Sequence, residues 1–310
     1  MSPSFTRLSC TIIAALVFSL VVVPAYGNGP DQYGYIAIAI PYSFEDLSGG
    51  PSTAILTGSE DDVIEIPIGF PFTIYGVTYT TVWVSSNGLL TFGGGETSGV
   101  PLDLTKNSPP QNRKTIAPLW QDWTFAYDDP GVHSNVYYQT AGTPGARRLI
   151  VQWNKPQAYY SFPYTDTVTF EAKLFEGLNN VEFHYQDAAI DGSPEYSNGT
   201  ASTVGIRDIN GQTNGRNLQW SFNQAVINNG SAVRYTSPVF RVNSMTKFAT
   251  STVLQCTGAP SKPNWVEATT DLKNTAFARL GSSVMADANG NFTFTDPSPG
   301  MKKFYRVGFP

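Results

Sequence analysis

The tightest constraint on this chain is the run from Thr167 to Gln186, where apolar and polar side chains alternate on either side of a turn. Val168, Phe170, Ala172 and Leu174 alternate with Thr167, Thr169, Glu171 and Lys173. Glu176-Gly177-Leu178-Asn179 then turns the chain, and Val181, Phe183 and Tyr185 alternate with Glu182, His184 and Gln186. A period of two marks a strand with one face toward a core. A four-residue loop pairs Phe175 with Asn180. Leu174 then meets Val181, Ala172 meets Phe183, and Phe170 meets Tyr185. On the other face Lys173 meets Glu182 and Glu171 meets His184. A slip of one residue destroys both sets of matches, so the segment predicts a β-hairpin in this register.

The same period recurs at Val63–Ile68, Tyr79–Ser85, Leu89–Phe92, Arg147–Trp153, Thr203–Arg207, Leu218–Phe222 and Ala232–Tyr235. Asn87-Gly88, Asn210-Gly211, Asn214-Gly215 and Asn229-Gly230 are turn signals between them. No segment sustains an apolar repeat at helical spacing. Short strands at this spacing without intervening helices predict an all-β fold, an antiparallel β-sandwich over residues 28–243. Residues 244–252 (SMTKFATST) are polar and weakly patterned and read as a linker. Beyond them Trp265–Thr269, Phe277–Leu280, Asn291–Thr295 and Phe304–Val307 predict a small appended C-terminal β unit, residues 253–310. A unit of that size has little core of its own, so packing on the first domain is an alternative to standing alone.

Residues 1–27 read as a signal peptide. Arg7 gives a positive start, Thr11 to Val23 is an apolar run of 13 residues, Pro24 breaks it, and Ala25 and Gly27 are small where a signal peptidase requires it. A membrane-spanning helix needs about 20 such residues. An uncleaved anchor is the alternative. No second run is long enough to span, so no membrane span is expected after cleavage. The remaining chain carries 18 Lys and Arg against 24 Asp and Glu, a balance that repels phosphate backbones and argues against nucleic acid as a partner. Only Cys256 is left after cleavage, so no internal disulfide forms, and the thiol reads as a buried structural one. Charged residues are 14% against about 25% in an average soluble domain, while aromatics reach 13%. Such a surface suits a secreted or cell-surface protein.

Several blocks, taken in order, resemble the nidogen-like extracellular module. They are Gly69-Phe70-Pro71-Phe72, Tyr75-Gly76, Val82 to Phe92, Ile116 to Asp122, Val151-Gln152-Trp153, Thr169 to Phe183, and Thr203 to Ile206. The plexin-domain-containing receptors and bacterial exported proteins share this core, and the likeness covers roughly residues 40–236. The resemblance implies an extracellular, non-catalytic β module used for adhesion or matrix contact, and it supplies no catalytic residues. The cysteine-rich neighbours of the animal members are missing, so a basement-membrane role does not transfer. Asn264-Trp265, Asn289 to Asp296 and Phe304-Tyr305-Arg306-Val307 are similar to a tail found on many secreted bacterial proteins.

The chemistry-bearing residues favour binding over catalysis. His133 and His184 are far apart in sequence, and His184 reads as an exposed or interfacial strand residue beside Glu171. No Gly-x-Ser-x-Gly elbow is present. A glycoside hydrolase needs only two carboxylates, and Asp122, set between Trp120 and Trp123, and Glu171 are the pair to consider. The plainer reading makes Trp120 core and gives Asp122 a turn or a backbone amide to order. Calcium is the best-motivated ion, with Glu60-Asp61-Asp62, Asp128, Asp129, Asp287, Asn289 and Asn291 as oxygen donors, although each cluster is also an ordinary turn former. No other cofactor is expected. The loop carrying Tyr159, Tyr160, Phe162 and Tyr164 lies between two strands, and exposed rings on a connection either recognise a ligand or cover a sandwich edge. The expectation is a secreted or surface-associated non-catalytic module that contacts an extracellular glycan or protein, with carbohydrate binding and adhesion as its forms. A carboxylate-pair hydrolase and a structural part of an extracellular assembly are the alternatives.

Overall fold

The computed structural model describes residues 29–106, 113–125, 134–161, 166–273, 275–298 and 302–308. The leader, Asp128, Asp129, His133, Phe162 and Tyr164 therefore lie outside the described residues.

Two antiparallel sheets make the main domain. One has seven strands: β1 (Ile36–Ala39), β2 (Thr53–Ile55), β8 (Asn135–Ala141), β9 (Arg148–Asn154), β11 (Thr169–Phe175), β12 (Val181–Asp187) and β15 (Ser231–Thr236), in the order β1-β15-β12-β11-β9-β8-β2. The other has six: β3 (Val63–Ile74), β4 (Val77–Ser85), β5 (Leu89–Phe92), β6 (Lys114–Trp120), β13 (Thr203–Arg207) and β14 (Asn217–Phe222), in the order β14-β13-β6-β5-β4-β3. A two-stranded ribbon of β7 (Trp123–Thr124) and β10 (Gln157–Ala158) closes one end. Pro67 and Pro71 are tolerated because β3 is an edge strand with a register shift between Pro67 and Phe72.

The inner faces share one apolar core, in which Phe72, Val84 and Ile116 from one sheet join Val151, Trp153, Phe170 and Phe183 from the other. Each large side chain buried in this way contributes about 1.5–3 kcal/mol. Polar atoms in the core are paired across it: Trp153 Nε1 donates to the Ser85 carbonyl at 2.8 Å and the Tyr185 hydroxyl to the Pro118 carbonyl at 2.6 Å. The β11–β12 hairpin has the register read from the sequence, residue for residue, from Leu174 opposite Val181 to Phe170 opposite Tyr185. Its turn closes with the Phe175 N–H on the Asn180 carbonyl at 3.1 Å.

The outer face of the seven-stranded sheet is polar but covered. Residues 40–52 run across it from the β1 edge to the β2 edge, so one segment supplies both edge strands and the crossing between them. Gln152, Glu171 and His184 stand in one cross-strand row. Every second amide of the crossing segment donates to the next member of that row. The Ser43 N–H reaches His184 Nδ1 at 3.2 Å, the Glu45 N–H reaches the Glu171 carboxylate at 3.2 Å, and the Leu47 N–H reaches Gln152 Oε1 at 2.5 Å. Lys173 donates to the Ser43 carbonyl at 2.5 Å and pairs with Glu45 at 2.9 Å and Glu171 at 3.0 Å. Leu47 packs with Tyr137 and Ile150 beneath the crossing. His184, read as exposed or interfacial, is thus fully buried between the sheet and the crossing segment, because a polar face can be satisfied by backbone N–H groups as well as by water.

The C-terminal part is a second, smaller pair of sheets. β16 (Arg241–Lys247), β17 (Thr252–Thr257) and β20 (Asn291–Asp296) form one, and β18 (Pro263–Thr269), β19 (Ala278–Met285) and β21 (Phe304–Gly308) the other. Leu254, Cys256, Val266, Phe292, Phe294 and Val307 pack between them. Cys256 is buried, and that burial pushes its thiol up to about 11. Residues 244–252, expected as a linker, are instead hairpin: 244–247 belong to β16, the Phe248 N–H closes on the Ser251 carbonyl, and Thr252 starts β17. β16 is an exposed edge strand, so it has no apolar alternation to read. The unit rests on the main domain. Phe240 packs against both cores, and Gly34 at φ +108° lies so close to Ala259 that a Cβ there would sit 2.8 Å from the Ala259 Cβ.

Candidate functional site

Two of the sequence candidates, Asp122 and the Tyr159–Tyr160 loop, meet at the end of the main sandwich, where the β4–β5 turn, the β6–β7 corner and the ribbon come together. The corner is built around Asn87, which is fully buried. Its Oδ1 accepts the Trp123 N–H at 2.9 Å, and its Nδ2 donates to Asp61 Oδ1 at 2.6 Å and to the Thr97 carbonyl at 2.8 Å. Gly88 follows at φ +74°, with the Leu119 carbonyl in the space a side chain would need. Asn-Gly thus turns the strand and also ties three loops together, and only the turn was legible in the sequence. Trp120 and Trp123 are both core residues: Trp120 Nε1 donates to the Ser98 carbonyl at 2.7 Å and Trp123 Nε1 to the Leu119 carbonyl at 2.8 Å. They do not line a sugar cleft.

Asp122 sits between these rings, half-buried under Gly99. Its backbone carbonyl accepts the Tyr159 N–H at 3.1 Å. Its Oδ1 is buried and makes no hydrogen bond among the described residues, so the side chain orders no backbone amide there. Burial, reinforced by Asp61 and Glu60, pushes the Asp122 carboxyl up to about 6. Tyr159 and Tyr160 meet edge to face, with ring centroids 5.0 Å apart, and Tyr160 is 66% exposed. The ribbon pairing Gln157 with Thr124 and Ala158 with Trp123 brings this aromatic pair beside the acids. The result is an exposed ring on a loop tied by its backbone to Asp122, whose carboxyl is held above the usual carboxylate range by burial. Rings of this kind stack on apolar faces, and carboxyl groups exchange hydrogen bonds with hydroxyls.

Glu171, the other carboxylate singled out, is remote from water. Burial pushes it up to about 7, against the pull of Lys173 and the Glu45 N–H. Both its oxygens are engaged by the crossing segment. Glu182 receives His184 Nε2 at 3.0 Å and Arg234 at 2.6 Å. Since Nδ1 of His184 accepts the Ser43 N–H, Nε2 is the nitrogen that donates.

The calcium candidates are placed in part. Asp287 Oδ1 accepts the N–H groups of Asn289 at 2.8 Å and Asn291 at 2.7 Å, which makes this run a hairpin tip. A second oxygen-rich hollow of about 390 Å³ is lined by Asp166, Asp187, Asp191 and Asn229. Within it Asp187 Oδ1 already accepts Asn229 Nδ2 at 3.0 Å and the Ala189 N–H at 3.2 Å. Among the described residues no three His, Cys, Asp or Glu side chains are grouped to hold a metal ion. No helix among them is long and apolar enough to cross a membrane.

A family model described as NIDO related matches residues 34–250. Neither a curated protein nor a solved structure matches the chain.

Proposed function

The chain belongs to the nidogen-related family, and from that premise we propose that it is a secreted or surface-associated, non-catalytic contact module for an extracellular glycan or protein. Domains of this family are typically extracellular. The observation that carries the reading is the Tyr159–Tyr160 pair at the sandwich end, with Tyr160 two-thirds exposed and the Tyr159 N–H held by the Asp122 carbonyl. A rigid ring held out from a sheet scaffold gives large contact area at small entropic cost. The burial of Glu171 supports a binding role over hydrolysis, since a carboxylate sealed under the chain cannot meet a glycosidic bond.

The test is a binding screen of the purified protein on immobilised polysaccharides and matrix proteins, with and without a calcium chelator, while released sugars are assayed. Saturable binding without release is expected, and Tyr159→Ala with Tyr160→Ala is expected to weaken it at least tenfold at unchanged melting temperature. Binding that survives the double substitution sinks the assignment to this end. Released sugar overturns the non-catalytic reading.

A further inference from the structure

The outer face of the β19-β18-β21 sheet carries a second pattern, on the unit remote from the sandwich-end loops. Cross-strand pairing sets Arg279, Glu267 and Arg306 in one row, with Arg279 opposite Glu267 on one side and Arg306 opposite it on the other. Trp265 lies two residues along on the same face, and Phe304 lies two residues along in the other direction. Each ring holds a cation or abuts one. Arg279 lies over Trp265 at 4.3 Å, Arg306 over Phe277 at 4.4 Å and Lys302 over Phe304 at 5.1 Å. Gly308 leaves room for the Trp265 indole to lie across β21.

The charges on this face do not cancel. Glu267 is paired with Arg306 at 2.6 Å, whereas among the described residues neither Arg279 nor Lys302 has a carboxylate within ion-pair distance. The imbalance extends to the whole unit. Residues 241–310 carry eight Lys and Arg against four Asp and Glu, while residues 28–240 carry ten against twenty. An anion approaching the protein is therefore repelled by the main domain and drawn to this end. Guanidinium forks match carboxylate and sulfate groups, and the half-buried rings beside them add apolar surface.

We propose that the outer face formed by Trp265, Arg279, Phe277, Arg306, Lys302 and Phe304 binds an acidic polysaccharide, its uronate or sulfate groups on the cations and its sugar rings on the aromatic side chains. The alternation of the two kinds of group favours a polymer that is both charged and ring-faced. Anionic lipid surfaces satisfy the cations alone, and single-stranded nucleic acid, whose bases also stack on aromatic rings, is the competitor the test has to exclude. The site goes beyond the sandwich-end contact and does not depend on Tyr159 or Tyr160.

The experiment measures binding of the purified protein to polygalacturonate and dextran sulfate, with dextran as the neutral polymer and single-stranded DNA and anionic phospholipid vesicles as charged comparators. Saturable, salt-sensitive binding to an acidic polysaccharide is expected, at least tenfold stronger than to dextran, DNA or vesicles. Arg279→Gln with Lys302→Gln is expected to reduce it at least tenfold. Both substitutions are at exposed side chains without acidic partners among the described residues, and melting temperature is checked alongside. Tyr159→Ala with Tyr160→Ala is expected to leave this binding unchanged, which separates failure here from failure of the sandwich-end reading. No binding to either acidic polymer overturns the proposal, as does unchanged binding by the Arg279 and Lys302 variant. Equal binding to DNA or vesicles overturns the assignment to polysaccharide.

Discussion

Asn87 shows how much one buried side chain can hold. Its amide satisfies the Trp123 N–H in the core and reaches the Thr97 carbonyl and Asp61 at the surface. Replacing it with Ala leaves the buried Trp123 N–H unpaired, at a cost of about 1–3 kcal/mol. Asn87→Ala is therefore expected to lower stability by about 1–3 kcal/mol, read as a shift of the urea midpoint with unchanged slope. A shift within half a kcal/mol would place the staple elsewhere. Asp61, held at φ +47°, depends on the same amide, so the variant is also expected to disturb the acids beside Tyr159.

The segment 40–52 and the polar row beneath it form the element with the clearest pH signature. Burial raises Glu171 from 4.5 in the open chain to about 7, so the fold holds the proton more tightly than the unfolded chain does. The stability that follows is fully present below about 4.5 and is lost as pH rises through about 7. Glu171→Gln keeps an acceptor for the Glu45 N–H and removes the titration. Wild type is expected to lose up to about 3 kcal/mol relative to the variant between pH 4.5 and 7.5 in urea melts. Parallel curves for the two proteins would refute this. The same elements mark where sequence reading stops. The β11–β12 register was legible because both its faces are written within 20 adjacent residues. The cover over its outer face was not, because the donors at 43, 45 and 47 are backbone groups and their acceptors lie 105 to 141 residues away. Polar alternation says that a face is not core, and it does not say that the face meets water. At the sandwich end the tyrosines were legible one by one, while their placement beside Asp122 depends on a ribbon of two-residue strands too short to leave a pattern.

At the scale of the molecule, two cores share Phe240, and the smaller one leans on the larger through Gly34 and Ala259. A side chain at Gly34 meets both Ala259 and Pro238 from a left-handed backbone. Gly34→Val is expected to split one calorimetric unfolding peak into two, with the C-terminal unit melting first. A single peak in the variant would mean that the two units are joined by other contacts. The segment running from β1 to β2 has a consequence in time as well as in space. Ile36 pairs with Thr236, some 200 residues further on. At about 5–20 residues per second of synthesis, the first strand waits on the order of ten to forty seconds for its partner to exist. During that wait only the β2 end of the segment has its partner, β8, and the β1 end has none. A segment made early is the one that completes the seven-stranded sheet.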